Sequence, residues 1–489
     1  MKHALVVLLA AAAAFVLLGR RGERDGGDRR LAIEFWTYSG GGSADATVRF
    51  WEKVARDFER AHPGVRVRAV TNIAHGQYLS VLTTRFIGGN PPDVFVLDDN
   101  MTPDLIREGL LLPLNRFVAA DRSYHVADFP PTMLRDGCTG AVRYSIPLYG
   151  GYGCLFYRTD LLAQAGVAPP RTWSELVAVS RTLRVKLGME YPFAMEPTAA
   201  FWMMPFIWQN GGDILSPDHR RVVIDTPPVV GAIAFVRDLM YRYRVMDPSL
   251  ASGATLDALW SSGRVAMMIN GGWSIGTSDV NFPQWRSRWE VAPLPAGKRD
   301  VGFYGGQHLM IAKASQHPEL AWRFMVFATA PRRQLQWSDI TGSPPSNLRV
   351  FDMPAFQRRH PHFVRMREAM LHGRNNPLAP FFNKIWYGRF QSRVLDVVMK
   401  DPRADIAAAV RAAAREMQAI VDDSWTVHPQ RDGTTGAAPS CPVGARHARL
   451  LHNPEVTGRG GTRPLPSMFV GVGVGLPADP RRASGDAAS

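Results

Sequence analysis

Two hydrophobic periods take turns along this chain. Residues 31–35 are a short apolar run with the character of a strand, followed by a Gly-rich turn over 37–43. Val48, Trp51, Ala55 and Phe58 then recur at intervals of three and four, which places them on one face of a helix. His62-Pro63-Gly64 ends that helix, and Val65, Val67 and Ala69 alternate as a second strand. Tyr78, Leu79, Leu82 and Phe86 mark another helix, closed by the turn Gly88-Gly89-Asn90-Pro91-Pro92. Residues 94–97 are apolar throughout, as in a strand covered on both faces.

The alternation continues downstream. Thr172 and Glu175 have the spacing of a capping box ahead of Leu176, Val179 and Leu183, with Gly188 as the stop. Thr226-Pro227 opens a helix through Val236, Leu239 and Tyr243. Residues 265–269 read as a strand, and 315–330 and 401–422 as helices. Strands alternating with helices of this length predict an α/β fold with mostly parallel sheets. A length of 489 residues predicts at least two compact lobes.

The two ends break the pattern. Lys2, an apolar run over 4–19 and then Arg20-Arg21 have the layout of a signal peptide. As a helix that run is about 24 Å long against roughly 30 Å of hydrocarbon, so residues 1–19 are expected to be a cleaved signal or a membrane anchor. No cysteine follows Gly19 to make a lipoprotein signal. Residues 20–30 read as a charged linker. Residues 428–489, rich in Pro, Gly, Ala, Ser and Arg, have no amphipathic period and are expected to be a disordered tail.

Composition narrows the function classes. The net charge is +14 and the pI about 10, which raises the question of nucleic acid. Carboxylates are interleaved with the basic residues, as in Glu52, Lys53, Arg56, Asp57, Glu59 and Arg60. No zinc-finger spacing, basic helix or RNA-binding aromatic signature occurs, so a solvated basic surface is the expectation and nucleic acid is not a partner. Of the three cysteines, no two have metal or redox spacing. Cys138 and Cys154 are either a pair or, the preferred reading, two small buried residues. No HExxH or P-loop pattern is present, and no cofactor is expected.

Several short segments, in order, resemble the sugar-binding family of extracellular solute-binding proteins of bacterial ABC importers. They include Ile33-Glu34-Phe35-Trp36-Thr37-Tyr38-Ser39-Gly40, Phe58-Glu59-Arg60-Ala61-His62-Pro63-Gly64-Val65 and Pro92-Asp93-Val94-Phe95. Tyr144-Ser145-Ile146-Pro147, Pro170-Arg171-Thr172-Trp173-Ser174-Glu175-Leu176, Asn210-Gly211-Gly212-Asp213, Gly271-Gly272-Trp273 and Ala321-Trp322-Arg323-Phe324 follow. The resemblance runs over roughly residues 31–427. It implies a two-lobed periplasmic-binding-protein-like α/β fold with a ligand cleft between the lobes. One lobe would hold residues 31–146 and 296–340, the other 147–295 and 341–427. It further implies an exported, monomeric receptor for a carbohydrate-like solute, in contact with ABC permease subunits and touching the membrane through its N-terminal segment.

A sugar offers weakly apolar C–H faces and a rim of hydroxyls, so its site needs aromatic platforms and polar side chains. Thirteen Trp and twelve Tyr supply platforms. Resemblance makes Trp273 and Trp386 stacking platforms and Glu196 a carboxylate contact. Tyr38 and Ser39 are expected in a loop after a strand carrying Trp36. Asp98 and Asp99 end a buried strand, where they either meet ligand or cap the next helix. Tyr149 and Tyr152 lie among Gly150, Gly151 and Gly153, which permit close approach. Trp202 is a further candidate, the alternative being that Trp202 and Trp208 pack a helix. Tyr304 and Gly305 stand where the family's chain returns to the first lobe. The rival class is a hydrolase. Gly272-Trp273-Ser274-Ile275-Gly276 matches GxSxG, with His308 as a base. Glu196 with Asp98 or Asp99 could form a glycosidase pair.

Overall fold

The computed structural model describes residues 30–427, apart from 40–43, 253–254, 277, 279–281 and 286. The expected signal or anchor (1–19), nearly all of the linker (20–30) and the tail (428–489) lie outside these residues. Among those described, no helix is long and apolar enough to cross a membrane.

Ten strands organise the described residues: β1 (Leu31–Ser39), β2 (Val65–Ala74), β3 (Val94–Asp98), β4 (Cys138–Thr139), β5 (Val142–Arg143), β6 (Ser145–Arg158), β7 (Phe193–Ala194), β8 (Met267–Gly271), β9 (Trp289–Pro293) and β10 (Tyr304–Ile311). The helix Ala44–Ala61 turns Phe50, Trp51, Val54 and Phe58 inward, all fully buried, as its three-four spacing requires. The helix Trp173–Leu187 starts where Thr172 Oγ1 accepts from Glu175 N and stops at Gly188 in the left-handed region. Glu175 itself reaches back to Arg171 N. Losing such a cap typically costs about 1 kcal/mol.

Two separate clusters of buried side chains form. One draws on residues 33–149 and 309–337, the other mainly on 152–304 and 350–421. In the first, β1 pairs in parallel with β2 and β3, while β10 runs antiparallel to β3 and β6. In the second, β6 is antiparallel to β8 and β9, and β7 is parallel to β8. The sheets are therefore mixed, not mostly parallel. The physical reason is β6: its fourteen residues, on the order of 45 Å when extended, run from one core into the other. Residues 145–152 pair with β10 in the first lobe and 153–158 with β8 and β9 in the second. A chain that leaves on β6 must return, and β10 returns antiparallel beside it.

Cys154 is a buried free thiol, whereas Cys138 is disulfide-bonded. The two do not pair with each other.

Candidate functional site

A cavity of about 640 Å³ opens between the two cores at the ends of β1, β3 and β10 and the middle of β6. The first lobe contributes polar groups. Tyr38 donates its hydroxyl proton to Asp98 Oδ1 and accepts from Gln307 Nε2. His75 Nε2 lies 3.1 Å from Asp98 Oδ2, and its ring meets the Tyr38 ring edge-on at 4.7 Å. Burial, reinforced by the Asp98 charge, raises the Tyr38 phenol well above its ordinary pKa, so it stays a donor. The hydrogen bond to Asp98 raises His75, against the opposing effect of burial.

Asp99 sits just beyond β3. Its Oδ1 accepts from Asn100 N at 2.7 Å, and its Oδ2 from Gly306 N at 2.6 Å and Asn375 Nδ2 at 2.7 Å. Burial pushes its carboxyl up to about 6, although these bonds pull it down. A Cβ at residue 305 would come within 2.5 Å of Asp99 Oδ2, so only glycine leaves room for that carboxylate.

The second lobe contributes aromatic faces. Trp273 follows β8 in a short 3₁₀ turn and is only partly buried. Its indole lies over Gly151, where a Cβ would meet the ring at 2.9 Å, and closer still over Gly271. Behind it Trp202 stacks at 5.9 Å, and Phe201 meets it edge-on at 5.8 Å. Phe201 in turn packs on Phe303 at 4.2 Å, and Phe201, Trp273 and Phe303 all border the cavity. Asn376, Asn383 and Tyr387 complete this side. Asn100 Nδ2 donates to Asn383 Oδ1 at 2.8 Å and Asn383 Nδ2 to the Asn100 carbonyl at 3.1 Å, a reciprocal pair joining the lobes.

Of the residues singled out from sequence, the structure brings Tyr38, Asp98, Asp99, Tyr149, Trp273 and Gly305 together around the cavity. It places the others elsewhere. Tyr38 and Ser39 belong to β1 rather than to a loop, and Ser39 Oγ turns to the Ile73 carbonyl at 3.3 Å. Tyr152 is three positions from Tyr149, and successive strand residues face opposite ways, so Tyr152 is buried against Gly272. Tyr304 alternates with Gly305 in the same way, and its buried hydroxyl donates to Met133 Sδ. Trp202 is the buried second layer behind Trp273. Trp386 is fully enclosed, stacked on Phe390 at 4.0 Å with Nε1 donating to the Ala200 carbonyl. Glu196 is exposed and does not border the cavity.

Sequence reasoning passed over His75, Gln307, Asn376, Asn383 and Tyr387. Two carried a signal: Gln307 shares a strand face with Gly305, and Tyr387 is one helical step, about 100°, from Trp386. The hydrolase pairings are not assembled. Ser274 Oγ donates to Asn270 Oδ1 at 3.1 Å, while His308 Nδ1 faces Ser145 Oγ at 2.9 Å.

Comparison with known proteins bears on the family and the fold. Residues 43–335 match the family described as bacterial extracellular solute-binding protein. A maltotriose-binding protein of Pyrococcus abyssi is 25% identical over 341 residues, 67% of this chain and 70% of that protein. An arabinooligosaccharide-binding protein of Bacillus subtilis is 21% identical over 337 residues, 66% of this chain and 73% of that protein. The solved structure of the sugar-binding protein MalE from Xanthomonas citri has the same two-lobed fold. It aligns with a TM-score of 0.73 at 22% identity, covering 82% of this chain and 100% of that one. Family match, two-lobed fold and interlobe cleft agree, and the chain belongs to the bacterial extracellular solute-binding proteins.

Proposed function

We propose that this protein is the substrate-binding receptor of an ABC-type importer and that its cleft holds a carbohydrate or carbohydrate-like solute without turning it over. The observation that carries this reading is the pairing of a partly exposed indole, Trp273, with hydroxyl-binding groups across the cavity, Asp98 and Gln307. A sugar's C–H face stacks on the ring while its rim hydroxyls donate to the carboxylate and exchange bonds with the amide. The cavity volume falls within the roughly 300–1,000 Å³ of small-molecule sites. Both lobes line the cavity, so bound solute favours the closed arrangement by differential contact.

Export follows from the family, and residues 1–19 either release the protein or tether it to the cytoplasmic membrane. In this reading it acts as a monomer and hands solute to the permease. The relatives named for maltotriose and arabinooligosaccharide favour neutral oligosaccharides as the first class to try. A thermal-shift and calorimetric screen over mono-, di- and oligosaccharides, polyols and sugar phosphates tests this, because a specific ligand stabilises by mass action. At least one carbohydrate should raise the melting temperature and be recovered unchanged. Stabilisation only by a non-carbohydrate class would overturn the substrate assignment. Conversion of the solute, abolished by Ser274→Ala or Glu196→Gln, would overturn the receptor reading.

A further inference from the structure

Behind the polar wall of the cleft, three buried side chains of the first lobe converge. Asp99 comes from the turn after β3, Asp136 from the end of the helix Pro131–Asp136, and His308 from β10. Their carboxylate oxygens and a His308 ring nitrogen lie within 4.8 Å of one another. Two carboxylates this close, away from water, repel unless a cation or a proton lies between them. Neither forms an ion pair with a Lys or Arg among the described residues. Asn375 Nδ2, a neutral amide, donates to both.

The histidine supplies the second observation. His308 Nδ1 faces Ser145 Oγ at 2.9 Å, and the tautomer that donates this bond leaves a bare lone pair on Nε2. Nε2 is buried and has no hydrogen-bond partner among the described residues, a costly state for a polar atom. Around metal-bound imidazoles the second ring nitrogen is almost always held by an outer-shell hydrogen bond, the part Ser145 would play here. Imidazole suits zinc and its first-row neighbours, while carboxylates suit harder ions; two oxygens and one nitrogen fit a divalent first-row ion that keeps water in an open position. There is a way in from either side. Asp99 borders the solute cleft, and Asp136 and Asn375 border a second cavity of about 550 Å³.

We propose that Asp99, Asp136 and His308 form a binding site for a divalent first-row ion, with Zn²⁺ as the reference case, in the first lobe behind the solute cleft. All three ligands come from one lobe, so the ion binds without lobe closure. It fixes the carboxylate of Asp99 at the edge of the cleft and is linked to the second lobe through Asn375, which bonds both carboxylates. The proposal does not depend on which solute the cleft takes.

The test uses the full chain stripped with a chelator and titrated calorimetrically with ZnCl₂, alongside MnCl₂, MgCl₂ and CaCl₂. Metal content is measured by mass spectrometry after dialysis. The expected result is one zinc per chain, a raised melting temperature, and weaker or no binding of magnesium and calcium. Asp136→Asn and His308→Gln, each checked for native circular dichroism, should lose that ion. The wild-type protein loaded with Co²⁺ should show d–d absorption of a site containing nitrogen and oxygen donors, a readout that needs no variant to fold. Absence of stoichiometric zinc, or its retention in both variants, would overturn the site and leave the carboxyl pair bridged by a shared proton.

Discussion

The first-lobe wall of the cleft ends in Tyr38, His75, Asp98 and Gln307, whereas the second-lobe wall presents Phe201, Trp273 and Phe303. The polar groups already bond one another: Gln307 to Tyr38, Tyr38 to Asp98, and His75 to Asp98. They hold one another in place, and under the proposed function a solute hydroxyl joins that network only where it fits. The aromatic groups are held by packing, with Trp273 between Trp202 and the glycines at 151 and 271. An aromatic face is indifferent to which hydroxyl points where. A buried polar network is not, because a mismatched partner leaves one of its groups unpaired. The second lobe should therefore set how tightly sugars bind, and the first lobe which sugars bind.

The largest effect expected is from Trp273→Ala. Loss of a central aromatic anchor typically costs about 2 kcal/mol or more, roughly a thirtyfold loss of affinity. The loss should be similar for every carbohydrate that binds, by calorimetry, with the apo protein still folded by circular dichroism. A change in the rank order of sugars would break the division between the walls. An unfolded apo variant would make Trp273 part of the core.

Asp98→Ala should come next, at about 1.5 kcal/mol for a hydrogen bond to a charged group, close to tenfold. Here selectivity is the sharper measurement. A deoxy-sugar lacking the hydroxyl that meets Asp98 should bind wild type and variant alike, while its parent should lose affinity. A uniform loss across both would mean that Asp98 acts by holding Tyr38 and His75, not by touching solute.

Much of this division was legible in the sequence. The alternating periods and ordered motifs placed both lobes, because long amphipathic helices and apolar strands report burial directly. Tyr38, Asp98 and Trp273 stand at or just after the end of an apolar strand and border the cavity, where a cleft collects side chains. Facing was harder. Tyr149 and Tyr152 stand in one glycine-rich stretch, but odd spacing on a strand turns the second into the core. Trp386 and Tyr387 are adjacent in a π-helical stretch, Lys384–Leu395, and only the structure shows which of them reaches the cavity. Asn376 and Asn383 carry no pattern at all. Asn376 is a loop amide bonded to Asn375 and Tyr387 in its own lobe, and Asn383 is a helix-end amide whose value comes from Asn100 in the opposite lobe.

That opposite-lobe contact gives a smaller prediction. The reciprocal bonds between Asn100 and Asn383 close the cleft at one edge. Asn383→Ala removes them at a cost typical of neutral hydrogen bonds, about 0.5–1.5 kcal/mol, and should shift the unliganded protein toward an open form. Small-angle scattering should show a larger radius of gyration for the apo variant and no difference once solute is bound. Equal radii in the apo state would mean that these amides follow closure and do not favour it.

The smallest effect concerns His75, which joins the polar wall from the helix His75–Ile87. Its imidazole is raised from 6.5, first by the hydrogen bond to Asp98 and then by that carboxylate's charge, with burial opposing. The charged form is therefore favoured in the folded protein relative to the unfolded chain. Its stabilisation is fully present below pH 6.5 and is lost as the pH rises through the higher folded value. Because the side chain is 54% exposed, solvent screens the pair, and the contribution should stay within the ~0–1 kcal/mol of an exposed ion pair. The measurable quantity is a difference: the melting temperature of wild type minus that of His75→Gln should be positive below pH 6.5 and shrink toward zero well above it. Solute affinity should move the other way in the wild type, since a neutral His75 frees an Asp98 oxygen for a hydroxyl. A melting difference that grows with pH would reverse the sign assigned to this pair. It would mean that neutral His75 is the form the fold prefers, with the first-lobe wall organised by Tyr38 and Gln307 alone.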